Sequence, residues 1–285
     1  MKKEYTVLSN GVKMPNLAFG TFKVNEGDDV QIILDAIEAG YRHFDTAAFY
    51  NTEEALGKAI KKSGIPREEF FVTTKVWKTC MGYEGAKKSF EKSLEKLDMD
   101  YVDLLLIHWP RPDAKSDWKQ LDIETWKAFE EIYKEGRAKA IGVSNFLNHH
   151  MQNILDNCEV VPMVNQIEFH PGYIQKDVVD FDKEHGIVVE AWSPLGRERV
   201  FKDEVLNELA EKYGKSVAQI CLAFALQMDV VPLPKSSSIE RMKQNMDIDF
   251  ELEEEDFEKI VNMEEMGWSG LDPDFIGYYL YKNFS

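Results

Sequence analysis

Eight short apolar runs separated by longer amphipathic stretches constrain this chain more than any other feature. In order they read NLAFG, HFDTA, FVTTKVW, VDLLLIH, KAIGVS, MVNQIEF, VVEAWSP and VVPLPK. Each has strand length and is largely apolar or β-branched rather than strictly alternating, the pattern of strands buried on both faces of a parallel sheet. Helical periodicity fills segments between them: Val30 to Ala39, Tyr83 to Leu97, Ile123 to Glu135, Leu147 to Cys158, Lys176 to His185 and Val217 to Met228. Gly40, Gly136 and Gly186 stand just past three of these helices, where glycine enters the left-handed region without steric cost. The alternation predicts an α/β fold, a (β/α)8 TIM barrel. An open doubly wound sheet is the alternative, but NLAFGTFKVNEG lacks the G-x-G-x-x-G turn that such a sheet carries after its first strand.

Ahead of the eight runs lie YTVLS and VKMP around Asn10-Gly11, a two-residue hairpin signal. This β-hairpin is expected to plug one end of the barrel. No linker, low-complexity segment or repeat interrupts residues 1–285, which are expected to form a single domain. The 44% hydrophobic content suffices for a large core. No apolar run approaches the roughly 18 residues of a bilayer span, and MKKEYTVLSNG has no apolar segment behind its lysines, so neither membrane insertion nor a signal peptide is expected. Cys80, Cys158 and Cys221 show neither pairing nor C-x-x-C spacing and read as reduced thiols of a cytoplasmic protein. A net charge of −17 argues against nucleic acid, whose phosphates need a basic face. The acidic run Glu251 to Asp256 reads as the start of a helix, whose dipole favours anions there. With no dimerisation stripe evident, a monomer is expected.

Three successive runs end on residues that move or steer protons. Asp45 closes the second run and Tyr50 follows it; Lys75 lies near the end of the third, and His108 ends the fourth. A parallel barrel gathers strand ends at one rim, where barrel enzymes place their chemistry. Reducing a carbonyl needs an acid beside the nascent alkoxide. A phenol begins near a pKa of about 10; a nearby ammonium is expected to lower it, while a carboxylate holds the lysine charged. Tyr50, Lys75 and Asp45 form such a relay, with His108 orienting the carbonyl oxygen. Singly, each has a structural alternative: Asp45 could cap the helix beginning near Asn51, Tyr50 could be a loop aromatic, and His108 a hydrogen-bonded structural residue. Lys75 resists that reading, because a lysine inside a buried strand is costly unless paired.

The strings GTF at Gly20, DTAAFYNTEEALGKAI, TKVW, LLLIHWP, GVSNF, VNQIEFHP, AWSPLG and LPKSSSIERMKQN follow one another across almost the whole chain. In this ordered set the chain resembles the aldo-keto reductases. The resemblance implies an enzyme, an NADP(H)-dependent oxidoreductase that reduces small aldehydes and ketones, including keto sugars and 2-oxoaldehydes. It places the catalytic tetrad on Asp45, Tyr50, Lys75 and His108, with Tyr50 as proton donor. A catalytically weak NADP(H)-binding regulatory barrel is the alternative within the same fold, though such relatives often lose a tetrad residue.

By the same matching, Gly20, Thr21, Phe22 and Asp45 belong to the cofactor site. Ser144, Asn145 and Gln166 would hydrogen-bond the nicotinamide carboxamide, and Trp192, where many relatives carry tyrosine, would stack on the ring. Ser193 and Leu195 would run along the pyrophosphate. Lys235, Ser236 and Arg241 would clamp the 2′-phosphate, with Gln244, replacing a glutamate frequent in the family, and Asn245 on the adenine; a solvated basic helix start is the alternative reading of that segment. Phe22, Val24, Tyr50, Trp77, His108, Trp109 and Asn145 are the expected substrate wall, with Trp268 a further candidate. The helix segment ICLAFALQM departs from the arginine-tryptophan pair often found in relatives. Arg111 to Asp122, the tail from Gly267 to Ser285 and the loop after the seventh run shape the pocket in relatives; the first two are short here, suggesting an open pocket and resembling bacterial members such as diketogluconate and glyoxal reductases. No metal is expected: His43, His170 and His185 form no His-x-His pair on the first strand.

Overall fold

The computed structural model of the chain describes residues 4–24 and 29–275; the last ten residues of the tail considered above lie outside the described residues. An antiparallel hairpin, β1 (Tyr5–Val7) and β2 (Lys13–Pro15), precedes eight parallel strands: β3 (Ala18–Gly20), β4 (His43–Asp45), β5 (Phe71–Val76), β6 (Val102–Ile107), β7 (Ala138–Ser144), β8 (Val164–Glu168), β9 (Val188–Trp192) and β10 (Val230–Leu233). Each of the eight pairs with its neighbours in the chain, and the hairpin forms a sheet of its own. Next to β10, Pro234 accepts from Gly20 N–H of β3 at 3.1 Å, so the barrel is nearly closed. Gly142 in β7 permits close strand packing, since a Cβ there would overlap the Val164 carbonyl oxygen and lie 2.9 Å from Leu106 Cδ2.

Around the strands run α1 (Asp29–Glu38), α2 (Glu53–Ser63), α3 (Tyr83–Leu97), α4 (Trp118–Lys134), α5 (Asn148–Leu155), α6 (Lys176–Glu184), α7 (Glu204–Tyr213), α8 (Val217–Gln227), α9 (Ile239–Met246) and α10 (Glu254–Val261). Every residue of β5 is buried, as a strand covered on both faces requires. Gly40, Gly136 and Gly186 all have positive φ at the predicted helix ends.

Three local readings are corrected. The helix predicted from Ile123 begins at Trp118, because the Asp117 carboxylate accepts from Gln120 N–H at 3.3 Å and caps an additional turn. The segment between β6 and α4 is correspondingly shorter. The α7 helix adds to the predicted set; Asp203 caps its start by accepting from Leu206 N–H at 3.0 Å. At the hairpin, Leu8 N–H donates to Val12 and Gly11 N–H to Leu8, so Ser9 to Gly11 make a three-residue turn with Gly11 at φ +88°. That geometry is a type I turn with a glycine bulge rather than a two-residue turn. Asn10 does not simply turn the chain: its side chain donates to Lys139 O at 2.9 Å. With Leu8 and Met14 buried and Pro15 O 3.2 Å from His43 Nδ1, the hairpin covers the end of the barrel where the strands begin.

The acidic run does open a helix, with Glu254, Glu255 and Asp256 in the first turn of α10. Asp256 has a second role, accepting from Lys212 at 2.6 Å and Tyr213 at 2.7 Å and so tying α10 to α7.

Candidate active site

The opposite end of the barrel, where the strands finish, carries a cavity of about 610 Å³. Asp45 is the last residue of β4, Lys75 is the second last of β5, and His108 directly follows β6. Tyr50 ends a short 3-10 turn, Ala48–Tyr50, held at this rim because Asn51 takes a left-handed conformation, φ 59°. Asp45, Tyr50 and His108 thus meet on the cavity surface, with Lys75 buried directly behind them.

Their contacts form a chain. Lys75 Nζ donates to both Asp45 oxygens at 2.6 Å and to the Thr46 carbonyl at 3.1 Å. It lies 3.4 Å from the Tyr50 hydroxyl, which is itself 3.4 Å from His108 Nε2. Burial opposes the Lys75 charge, but the Asp45 carboxylate and the Tyr50 oxygen outweigh it and hold its pKa above the usual lysine range. Burial likewise dominates at Tyr50: it raises the hydroxyl's pKa against the pull of Lys75, and Asp45 adds to the rise. This corrects the expectation of a lowered value. The phenol is kept protonated, the state an acid needs. His108 is pushed well below the usual histidine value by burial and then by the Lys75 charge, so its imidazole is neutral. Its Nδ1 is buried with no hydrogen-bond partner among the described residues. An orphaned lone pair costs less than an orphaned N–H, which favours the tautomer with the proton on Nε2, toward Tyr50.

Gln166, on β8, reaches across the barrel and donates from Nε2 to Asp45 Oδ2 and to Glu190 Oε2, both at 2.9 Å. Asn145, at φ 64°, donates to the His108 carbonyl at 2.9 Å and to Ser144 Oγ at 3.0 Å, while its oxygen accepts from the Trp192 indole at 2.7 Å. The tryptophan that stands at the tyrosine position therefore also holds Asn145. On the β10 side, Lys235 and Arg241 are exposed on the cavity edge, and Arg241 Nε donates to Ser236 Oγ at 3.3 Å. Ser193, Leu195, Gln244, Asn245, Gly20 and Phe22 complete the expected lining that the cavity does possess.

Besides Lys75 behind the cavity wall, two residues of the expected cofactor and substrate lining lie outside it. Thr21 is fully buried, its hydroxyl donating to the Asp45 carbonyl at 3.0 Å and bonded to Thr52 at 2.8 Å, so it braces the end of β4. Val24 is packed into the hydrophobic core at 1% exposure and forms no wall. Trp268 also lies away from the cavity, 43% exposed and stacked on Tyr173 at 6.3 Å.

The aromatic wall consists of Phe22, 4.9 Å from Tyr50 between ring centroids, and Trp77, whose ring meets His108 at 5.0 Å. Trp109 packs with Trp77, Trp192 and Leu271. Phe49 was absent from the expected set, yet it lines the cavity stacked on Trp77 at 4.0 Å; its position directly before Tyr50 was the available signal. Leu271 was not singled out, although the tail that carries it was expected to shape the pocket. It reaches the wall because the tail folds back, with Ser269 donating from N–H and Oγ to the two oxygens of Glu168 at 3.0 and 2.6 Å.

Outside the cavity, the described residues bring His149, His150 and Asp274 together. His150 Nδ1 accepts from Leu147 N–H at 3.2 Å, which puts the proton of the neutral ring on Nε2, the nitrogen facing Asp274. Without a lone pair there, the cluster fits a carboxylate clasp and not a metal. The three cysteines are free thiols.

A parallel barrel with a buried carboxylate–ammonium pair beneath a phenol and an imidazole defines a class of oxidoreductase. The chain belongs to the aldo/keto reductase family, whose model matches residues 16–265. It is 48% identical over 274 residues to the glyoxal reductase of Bacillus subtilis (strain 168), covering 95% of this chain and 97% of that protein. It is 40% identical over 273 residues to methylglyoxal reductase DkgA of Escherichia coli O157:H7, again covering 95% and 97%. Among solved structures, a Gox0644 mutant in complex with NADPH superimposes with a TM-score of 0.89 at 36% identity, over 96% of this chain and 98% of that one.

Proposed function

We propose that this barrel reduces small aldehydes and ketones, 2-oxoaldehydes and keto sugars among them, with NADPH as the electron source. The observation that carries the reading is the Tyr50 hydroxyl at the cavity surface, 3.4 Å from both Lys75 Nζ and His108 Nε2. Tyr50 gives its proton to the carbonyl oxygen as the carbon is reduced. Lys75, held charged by Asp45, stabilises the phenolate left behind. His108 donates from Nε2 to the carbonyl oxygen and polarises it.

The chain's own groups fit the cofactor. Lys235 and Arg241 on either side of Ser236 suit a phosphate dianion, in a protein whose net charge of −17 would otherwise repel it. Ser144, Asn145 and Gln166 offer amide and hydroxyl groups for a carboxamide, and Trp192 an aromatic face. When bound, NADPH supplies the hydride. That a related structure holds NADPH supports this assignment. The aromatic wall around a polar centre suits small carbonyl compounds, and similarity to glyoxal and methylglyoxal reductases supports 2-oxoaldehydes. The free thiols support a reducing, cytoplasmic location.

The test is NADPH consumption across a panel of small carbonyls, repeated with Tyr50→Phe. The variant is expected to lose turnover while its NADPH dissociation constant stays within a few-fold of wild type. Wild-type turnover by Tyr50→Phe removes Tyr50 from the acid role. NADPH binding without turnover on any carbonyl would instead make the barrel a cofactor-binding regulator.

A further inference from the structure

One buried acid beneath the tetrad has no part in the chemistry above. Glu190, in the middle of β9, is fully buried, with Gln166 of β8 and Val231 of β10 alongside it in register. Its Oε2 accepts from Gln166 Nε2 at 2.9 Å, and the same nitrogen donates to Asp45 Oδ2 at 2.9 Å. An amide nitrogen has two hydrogens, so both are committed, one to each carboxyl. The Gln166 side chain is thereby locked with its nitrogen inward, and its oxygen is the atom left to meet a ligand.

The other oxygen of Glu190 faces His43. Oε1 lies 3.5 Å from His43 Nε2, and both side chains have no solvent exposure. His43 Nδ1 is 3.2 Å from the Pro15 carbonyl, which can only accept, so Nδ1 carries the ring proton. In the neutral ring Nε2 is then a lone pair, also 3.3 Å from the Thr73 hydroxyl. A carboxylate oxygen facing that lone pair would set two acceptors against each other in a dry interior. Protonating Glu190 turns the contact into a donor–acceptor pair.

We propose that Glu190 is a positioning residue, held as a neutral carboxylic acid that donates to His43 Nε2 and accepts from Gln166, fixing the Gln166 amide for the cofactor's carboxamide. This rests on the cofactor reading above and deepens it. The charged groups around Glu190 agree. Burial first, then the Asp45 charge, raise its pKa, with the Gln166 hydrogen bond and Lys75 opposing, to about 8. Burial pushes His43 down to about 3, the Pro15 contact and the Lys75 charge acting in opposite senses, so the ring is neutral. A second anion beside Asp45 is avoided, and Lys75 is left with one carboxylate partner.

The experiment uses the whole chain and two variants. Glu190→Gln keeps the pattern of the neutral acid, accepting from Gln166 and donating to His43, whereas Glu190→Ala removes both contacts. The infrared difference between wild type and Glu190→Gln, recorded at neutral pH with no substrate, should contain the carbonyl stretch of a protonated carboxyl, shifted by deuterium oxide. Glu190→Gln should bind NADPH as wild type does, and Glu190→Ala roughly ten-fold more weakly. As pH rises past about 8, wild-type NADPH affinity should fall as Glu190 ionises, while Glu190→Gln lacks that step. A difference spectrum without the protonated carboxyl, or an NADPH affinity as poor in Glu190→Gln as in Glu190→Ala, overturns the proposal. The spectrum requires no turnover, so it stands or falls separately from the role of Tyr50.

Discussion

Lys75 grips both oxygens of Asp45 at 2.6 Å, and neither side chain is more than 6% exposed. Such a pair is costly to leave half made, because the surviving charge keeps its desolvation penalty. Lys75→Met, which removes the ammonium and strands Asp45, is expected to destabilise the fold by about 3–5 kcal/mol. Turnover should be lost with it. Urea unfolding read beside steady-state kinetics checks this; wild-type stability would mean that the pair contributes nothing to the fold.

The same pair has a pH signature in stability. Folding raises the Lys75 pKa, so its contribution is complete below the usual lysine pKa and is lost as pH rises through the higher folded value. The catalytic profile is set by Tyr50, whose pKa burial lifts above the ordinary tyrosine value. Carbonyl reduction, which needs the phenol, should hold through the neutral range and fall only in the alkaline range. Alcohol oxidation, which needs the phenolate, should rise there. A loss of kcat for reduction that begins well below the tyrosine range and persists in Glu190→Gln would contradict the acid assigned to Tyr50.

Arg241 offers a separate test of the cofactor. Its guanidinium is exposed at the cavity edge and bonded to Ser236. A charged hydrogen bond of this kind contributes about 1.5–3 kcal/mol, so Arg241→Ala should weaken NADPH binding roughly ten- to hundred-fold. Binding of NADH, with no 2′-phosphate, should change little. Fluorescence titration with both nucleotides decides it, and equal losses would remove the phosphate clamp.

Leu271 lines the pocket on a tail that Glu168 holds through Ser269. Leu271→Ala should raise KM for small aldehydes several-fold, leave the NADPH dissociation constant unchanged and favour bulkier carbonyls, since a few methylene contacts are worth about 1–3 kcal/mol. Ser269→Ala should shift KM in the same direction by loosening the tail. Unchanged selectivity in both variants would exclude the tail from the wall.

The strand content of the barrel was readable because parallel strands buried on both faces must be nearly continuous in apolar character, and each of the eight runs became a strand. Asp45, Lys75 and His108 were legible because a polar residue at the end of such a run has few inexpensive places to go. The misjudged details have local causes. Val24 follows the motif that contains Phe22 but turns into the core, and Thr21 spends its hydroxyl on Asp45 and Thr52. Distance along the chain does not report which way a side chain faces once a turn intervenes. Ile123 gave the start of the helical periodicity, whereas the cap at Asp117 set the start of the helix.

By itself, the sequence determined the barrel, the end of it that would carry chemistry and the groups available there, since period and strand-end composition are properties of the chain. Only the tertiary structure decided the charge states. Whether Tyr50 is held as phenol or phenolate depends on burial against the competing charges of Lys75 and Asp45. Whether Glu190 ionises depends first on burial and the Asp45 charge, and also on the His43 lone pair that a proline carbonyl of the hairpin leaves facing it. These are many-body balances between residues far apart in sequence, and they exist only once the barrel has closed around them.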